Sequence, residues 1–73
     1  MQFDEYITNK LSERELEVAK WLIKGYSNNQ IAKEINFSTY TVKYYLANTY
    51  KKLDVINRHN LSYVLGKHVK TNI

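Results

Sequence analysis

Apolar residues recur at helical spacing in four segments of the chain, and short polar stretches separate these segments. The apolar stripe of the first segment consists of Val18, Ala19, Leu22 and Ile23. Ser12 stands before this stripe with Glu15 three residues later, which is the arrangement of a capping box. Lys24 and Gly25 offer a cation and a glycine suited to a helix end. The pattern therefore predicts a helix from Ser12 to about Lys24.

The second segment is short and the third is long, and they are separated by about three residues around Asn36 and Phe37. Ser27 with Gln30 forms the second capping box, and the inner face of this helix is predicted to hold Ile31, Ala32 and Ile35. Ser38 caps a third helix that runs over about 39–53. At about 100° per residue, one side of it carries Val42, Leu46, Thr49 and Leu53. A short helix, a tight turn and a longer helix predict a helix-turn-helix over about 27–46.

Asn57 caps a fourth predicted helix, one face of which carries Leu61, Val64, Leu65 and His68. Residues 1–10 show no clear period and are predicted to form a loosely attached arm, although Phe3, Tyr6 and Ile7 could dock on the core. The sequence therefore predicts an all-α, four-helix domain over residues 11–70, preceded by this arm.

The composition limits the possible function classes. The 73 residues include no cysteine, so neither a disulfide framework nor a thiolate metal site is expected. His59 and His68 lack further ligands at metal spacing, and no nucleophile, base and orienting group come together. We therefore expect no enzyme activity, no metal and no cofactor. No apolar run approaches the roughly 18 residues of a membrane span, which favours a cytoplasmic protein.

Charge is distributed unevenly along the chain. Residues 1–26 contain four basic and five acidic residues, whereas residues 27–73 contain seven basic and two acidic residues. A basic character confined to one part of a chain is typical of a one-sided contact with a polyanion. A solvated basic surface would give the same count, so charge alone leaves both interpretations open.

The outward face of the third predicted helix is suited to contact with base edges. This face carries Tyr40, Lys43, Tyr44, Ala47 and Lys51. A lysine at position 43 can reach a guanine edge or a phosphate, Tyr44 can contact a thymine methyl group, and the small Ala47 permits close approach to the groove floor. The arrangement favours insertion of this helix into the major groove of duplex DNA.

Short polar side chains cluster where the second and third helices begin. They are Ser27, Asn28, Asn29, Ser38 and Thr41. Free backbone amides and small hydroxyl or amide groups at helix starts bind phosphate well. Simple helix capping accounts for the two serines equally well, and the two roles are compatible.

Several segments, in order and at matching separations, resemble the LuxR/FixJ-type (GerE-like) helix-turn-helix domain. These segments are Leu11–Val18, Gly25–Ala32, Ser38–Lys43, Leu46, Asn48, Lys52–Leu53, Val55 and Arg58. The similarity covers about residues 11–65, and in length the chain is similar to a stand-alone member of the family. Two positions depart from the family pattern: Tyr45 replaces a usual histidine, and Ala47 lacks the long side chain of some members.

The resemblance implies a four-helix DNA-binding domain that acts as a dimer and regulates transcription. It implies that Lys43, Tyr44 and Ala47 face the bases. It also implies a phosphate-contacting set consisting of Ser27, Asn28, Asn29, Thr41, Asn48, Lys51 and Lys52. The fourth helix is the family's dimerisation element, which suggests Leu61, Val64, Leu65 and His68. Of these, Leu61 and Leu65 are expected mainly in the core and the other two nearer a partner.

The sequence leaves alternatives to this hypothesis. A helix-turn-helix can also dock on RNA polymerase or on another regulator, so a protein-interaction module is the second interpretation. Seven tyrosines permit stacking on single strands, although no sheet platform is predicted for them. Arg58 is placed either on DNA or against an acidic residue of the first predicted helix.

Overall fold

The computed structural model describes residues 2–70, which form five helices and two short strands. In chain order these are β1 (Gln2–Phe3), α1 (Glu5–Thr8), α2 (Glu13–Ile23), α3 (Asn28–Ile35), α4 (Thr39–Leu53), α5 (Arg58–Lys67) and β2 (Val69–Lys70). The predicted all-α class is confirmed, and the four predicted helices correspond to α2–α5.

Every helix begins at a side chain that accepts a hydrogen bond from a backbone N–H three residues later. The five capping residues are Asp4, Ser12, Ser27, Ser38 and Asn57. Both predicted capping boxes form, with Glu15 and Gln30 returning a bond to the backbone N–H of the cap. Each cap satisfies a backbone donor that the helix cannot pair, so the four predicted helix starts are confirmed.

Left-handed residues end three of the helices and set the connections between them. Gly25 follows α2 with φ at 89°, Asn36 ends α3 at 60°, and Asp54 ends α4 at 56°. Asparagine and aspartate adopt this conformation more readily than other non-glycine residues. The conformation at Asn36 makes the tight turn that brings α4 back across α3.

The core lies where α2 packs against α3, α4 and α5. Its fully buried side chains come from five helices and are Ile7, Val18, Ile31, Val42, Thr49, Leu61 and Leu65. Thr49 is polar, but its hydroxyl donates to the Tyr45 carbonyl at 2.8 Å, so no polar group is buried unpaired there. This core fixes α4 with one face inward and the other in solvent.

Residues 2–10 pack on the helices instead of forming a loosely attached arm, and Phe3 and Ile7 dock on the core as the sequence allowed. Phe3 and Ile7 are 5% and 0% exposed and belong to the core. β1 pairs with β2 in antiparallel register, with Gln2 opposite Lys70 and Phe3 opposite Val69. The apolar residues of this segment span a single helical turn, which is too short to show a period. Residues 2–10 are therefore part of the same folded unit as the helices.

Within residues 2–70, no helix combines the length and the apolar character required to cross a membrane. Over the same residues, His, Asp and Glu side chains do not group in threes that could hold a metal ion.

Candidate nucleic-acid interface

The outward side of α4 is exposed along the length of the helix. The predicted inner residues Val42, Leu46, Thr49 and Leu53 are all buried, as the helical period required. The opposite side therefore points to solvent, and we name it the outer face of α4. It consists of Tyr40, Lys43, Tyr44, Ala47 and Lys51, all of them exposed. Tyr40 is 81% exposed and Tyr44 is 59% exposed, so both rings are available to a partner.

The outer face of α4 is positively charged. α4 contains three lysines and no acidic residue. Lys43 and Lys51 are two helical turns apart, about 12 Å along the axis. Among the described residues, the acidic side chains form ion pairs with Arg14, Lys52 and His68, and not with Lys43 or Lys51. The ammonium groups of Lys43 and Lys51 are thus directed to solvent on the same side as the two tyrosines.

The first turns of α3 and α4 lie side by side and are joined by a hydrogen bond. The Thr39 hydroxyl donates to Oδ1 of Asn29 at 2.6 Å. Because Oδ1 accepts this bond, the amide nitrogen is the group with which Asn29 can donate to another molecule. This bond brings the N-terminal turns of the two helices together.

The predicted phosphate-contacting serines act as caps. Ser27 Oγ accepts from the Gln30 N–H at 3.2 Å, and Ser38 Oγ accepts from the Thr41 N–H at 3.1 Å. Ser38 also shares a hydrogen bond with the Thr41 hydroxyl at 2.9 Å. Ser27 and Ser38 are exposed, whereas Thr41 is half-buried. Their oxygens are engaged as acceptors, but a capping hydroxyl can still donate to a phosphate.

Arg58 links α5 to the start of α3. Its guanidinium donates to Oδ1 of Asn28 at 2.6 Å and to the Tyr26 carbonyl at 2.5 Å. Neither partner is acidic, so the proposed pairing with an acidic residue of the first predicted helix is wrong. Asn28 is half-buried by this contact, unlike its exposed neighbour Asn29. Arg58 therefore ties α5 to the N-terminus of α3.

Lys52, one of the predicted phosphate contacts, forms an ion pair within the fold. Its Nζ donates to Oε1 of Glu15 in α2 at 2.7 Å, and the Glu15 carboxyl is buried. Burial raises the pKa of Glu15, but the hydrogen bonds from Lys52 and from the Ser12 N–H outweigh burial and hold the pKa below 4.5. The sequence showed Lys51 and Lys52 as two equivalent cations, because the partner of Lys52 lies 37 residues away.

Aromatic rings form a row that ends at the outer face of α4. The Arg14 guanidinium lies 4.9 Å from the Phe37 ring, which in turn lies 6.2 Å from the Tyr45 ring. Tyr45 meets Tyr44 edge-on, with 5.7 Å between ring centroids. Tyr45, which stands where the family pattern has histidine, is half-buried in the middle of this row.

The residues predicted for a dimer contact do not share one exposed face. Leu61 and Leu65 are 0% exposed and serve the protomer's own core, so they cannot contact a partner. His68 Nδ1 lies 2.8 Å from Asp4 Oδ2, and its ring stacks on Tyr6 at 4.5 Å. Val64 remains half-buried at the surface of α5. The large exposed hydrophobic residues near it in sequence are Tyr63 and Ile56, at 65% and 87% exposure.

Comparison with known proteins gives a consistent result. Residues 9–65 match the family described as bacterial regulatory proteins, luxR family. The HTH-type transcriptional regulator MalT of Vibrio campbellii is 39% identical over 51 residues, and MalT of Yersinia pestis is 41% identical over 51 residues. Each match covers 70% of this chain but only 6% of the relative. The chain is therefore similar to one small segment of these much longer regulators.

Proposed function

The chain belongs to the luxR family of bacterial regulatory proteins, and on this basis we propose that it regulates transcription by binding specific duplex DNA sequences through α4. One observation carries the proposal: the outer face of α4 is basic and exposed, and its lysines and tyrosines are residue types that can contact base edges. The α3–α4 arrangement supports it, because a recognition helix requires a second helix that holds it against the backbone.

In this proposal α4 lies in the major groove with its outer face toward the bases. Lys43 donates to guanine O6 or N7, and Tyr40 and Tyr44 contact neighbouring base edges. Ala47 allows the helix axis to approach the groove floor. Lys51 contacts a phosphate, as do Asn29, the backbone amides at the start of α3 and the hydroxyls of Ser27 and Ser38. Asn28, Thr41 and Asn48 remain within the proposed phosphate contacts.

We further propose that the chain binds DNA as a dimer through α5. Tyr63 of α5 and Ile56, which precedes the helix, are exposed, and Val64 is half-buried next to Tyr63 in sequence. A dimer doubles the number of base contacts and imposes a fixed spacing on two half-sites. The protein would act in the bacterial cytoplasm, where it meets the chromosome, and RNA polymerase is the protein partner that a promoter-bound regulator would contact.

Selection from a random duplex library is the test of this function. We expect enrichment of a short motif, repeated directly or symmetrically if the protein binds as a dimer. The enriched duplex should be bound at least about 10³-fold more tightly than scrambled duplex at the same salt concentration. A library that enriches no motif, with only weak salt-sensitive binding, would refute sequence-specific regulation.

Substitutions of Lys43 and Lys51 distinguish contacts with base edges from contacts with phosphates. Lys43→Ala should cost about 1–3 kcal/mol on the selected duplex and much less on scrambled duplex. Lys51→Ala should weaken both duplexes about equally and reduce the salt slope by about 0.9. Equal effects of Lys43→Ala on both duplexes would show that the outer face of α4 does not read the bases.

A further inference from the structure

We infer that Tyr44 reads the C5-methyl group of thymine and that Tyr45 is a positioning residue that holds the Tyr44 ring for this contact. The inference rests on the proposed function and specifies its ligand: a duplex whose specific site contains thymine opposite Tyr44. The juxtaposition that carries it is the aromatic row from Phe37 through Tyr45 to Tyr44.

The first step concerns the chemistry of the outer face. Besides Lys43 and Lys51, it presents two tyrosine rings and a methyl side chain at Ala47, and it has no amide or carboxylate group. In the major groove, adenine is read by asparagine or glutamine and cytosine by a carboxylate, whereas the thymine methyl group is read by apolar contact. The side chains available here therefore match guanine, through lysine, and thymine, through the rings.

The second step concerns the position of Tyr44. It follows Lys43 directly and lies one turn before Ala47, so its ring is near the middle of the outer face. At 59% exposure the ring is neither free in solvent nor buried, because one side lies against Tyr45. Tyr40, at 81% exposure, has no described ring neighbour and is less constrained.

The third step concerns what holds Tyr45. Its ring packs between Tyr44 and Phe37, and Phe37 is covered by the Arg14 guanidinium of α2. Edge-on and tilted ring pairs at these separations are favourable beyond the area they bury. The row thus connects Tyr44 to a fixed helix, which reduces the side-chain entropy lost when the ring contacts DNA.

The test uses the duplex obtained by selection, with each thymine in turn replaced by uracil. This replacement removes one methyl group and leaves base pairing and charge unchanged. We expect about fourfold weaker binding at one or two positions, the effect of losing one buried methylene-sized group. The ratio of the affinity for the thymine duplex to the affinity for the uracil duplex is called the thymine-to-uracil ratio. Tyr44→Ala should bring this ratio to about one at those positions. Tyr6→Ala changes an exposed tyrosine of α1 instead and should leave the ratio of the two affinities unchanged.

Tyr45 is tested by the same ratio rather than by affinity alone. Tyr45→Leu keeps an apolar side chain in the half-buried position but removes the ring, and it should lower the ratio toward one. Tyr45→Phe retains the ring and should restore the wild-type ratio. A purely structural role would reduce binding of the thymine and uracil duplexes equally. Circular dichroism of each variant establishes that the helices are intact.

The possible failures are distinguishable. A selection without any enriched motif refutes the proposed function and this inference with it. A motif that is bound equally with uracil at every thymine position refutes the inference and leaves sequence-specific binding intact. A thymine-to-uracil ratio that survives Tyr44→Ala assigns the methyl contact to another residue. An unchanged ratio in Tyr45→Leu overturns the positioning role of Tyr45.

Discussion

Two adjacent lysines of α4 should give opposite results when each is replaced by methionine. Lys52→Met removes the partner of the buried Glu15 carboxylate but keeps the aliphatic stem of the side chain. Lys51→Met makes the same change one residue away, on the outer face. We expect Lys52→Met to reduce the free energy of unfolding and leave the salt dependence of DNA binding unchanged. Lys51→Met should leave the free energy of unfolding unchanged and reduce the salt dependence of DNA binding.

The size of the Lys52 effect follows from the exposure of the two groups. Removing one member of a fully buried ion pair costs about 3–5 kcal/mol, whereas fully exposed pairs contribute about 0.2–1 kcal/mol. Here the Glu15 side chain is 4% exposed, but the Lys52 side chain is 42% exposed. Solvent screening at the lysine therefore places the cost between these limits, at about 1–2 kcal/mol. In a domain of this size, each kcal/mol lowers Tm by about 4–8 °C.

The pH dependence provides a second measure of the same pair. The folded-state pKa of Glu15 lies below 4.5, so the pair stabilises the fold above that pH and the stabilisation is lost as pH falls through the folded-state pKa. The difference in unfolding free energy between wild type and Lys52→Met should therefore be complete at pH 7 and shrink below about pH 4.5.

Urea unfolding of wild type, Lys52→Met, Glu15→Gln and the double variant measures the coupling energy directly. Glutamine keeps the capping-box acceptor, so the cycle isolates the ionic contact with Lys52. We expect a coupling of at least about 1 kcal/mol at pH 7. A coupling within about 0.3 kcal/mol of zero, or a salt slope for Lys52→Met that falls as it does for Lys51→Met, would refute the assignment of Lys52 to the fold.

Three further substitutions test the scaffold around the interface. Gly25→Ala meets no atom within 4 Å but must adopt φ near 89°, so it should cost about 1–2 kcal/mol of unfolding free energy in urea. Arg58→Lys cannot bridge Asn28 and the Tyr26 carbonyl together, and it should cost about 1–3 kcal/mol without altering the salt slope of DNA binding. The hydrogen bond with His68 holds the pKa of Asp4 below 3.8, so this contact stabilises the fold above that pH and is lost as pH falls. Wild type should consequently lose more stability than Asp4→Asn between pH 6 and pH 3, and equal losses would exclude the contact as a source of stability.

Local signals in the sequence predicted most of the helical scaffold. A serine followed three residues later by glutamate or glutamine sufficed for the starts of α2 and α3, because a cap and its partner lie within one turn. The inner and outer faces of α4 followed from the helical period, which assigned Val42 inward and Lys43 outward. The same period put Leu61 and Leu65 on one face with Val64 and His68, but it did not single out the two leucines, which are the residues that the structure buries completely.

Contacts between distant residues could not be predicted in this way. The pairing of Gln2 with Lys70 spans almost the whole chain, and two-residue strands have no alternation to detect. Arg58 carried no local sign that it would reach the Tyr26 carbonyl instead of a carboxylate. Lys52 is about 100° around the helix from Lys51, yet only the position of α2 determines that an acidic partner meets it there.

The pairing of β1 with β2 has a consequence for how the chain can be rearranged. Facing Cα atoms of an antiparallel pair are about 5 Å apart, so the backbone at Gln2 and the backbone at Lys70 are close enough for a short peptide to join them. The backbone would then be circular. Cutting it at the exposed Ile56, between α4 and α5, would create new termini and leave the packing of the helices unchanged. Such a circular permutant would retain α3 and α4 as one continuous segment, with the surface proposed for DNA unchanged.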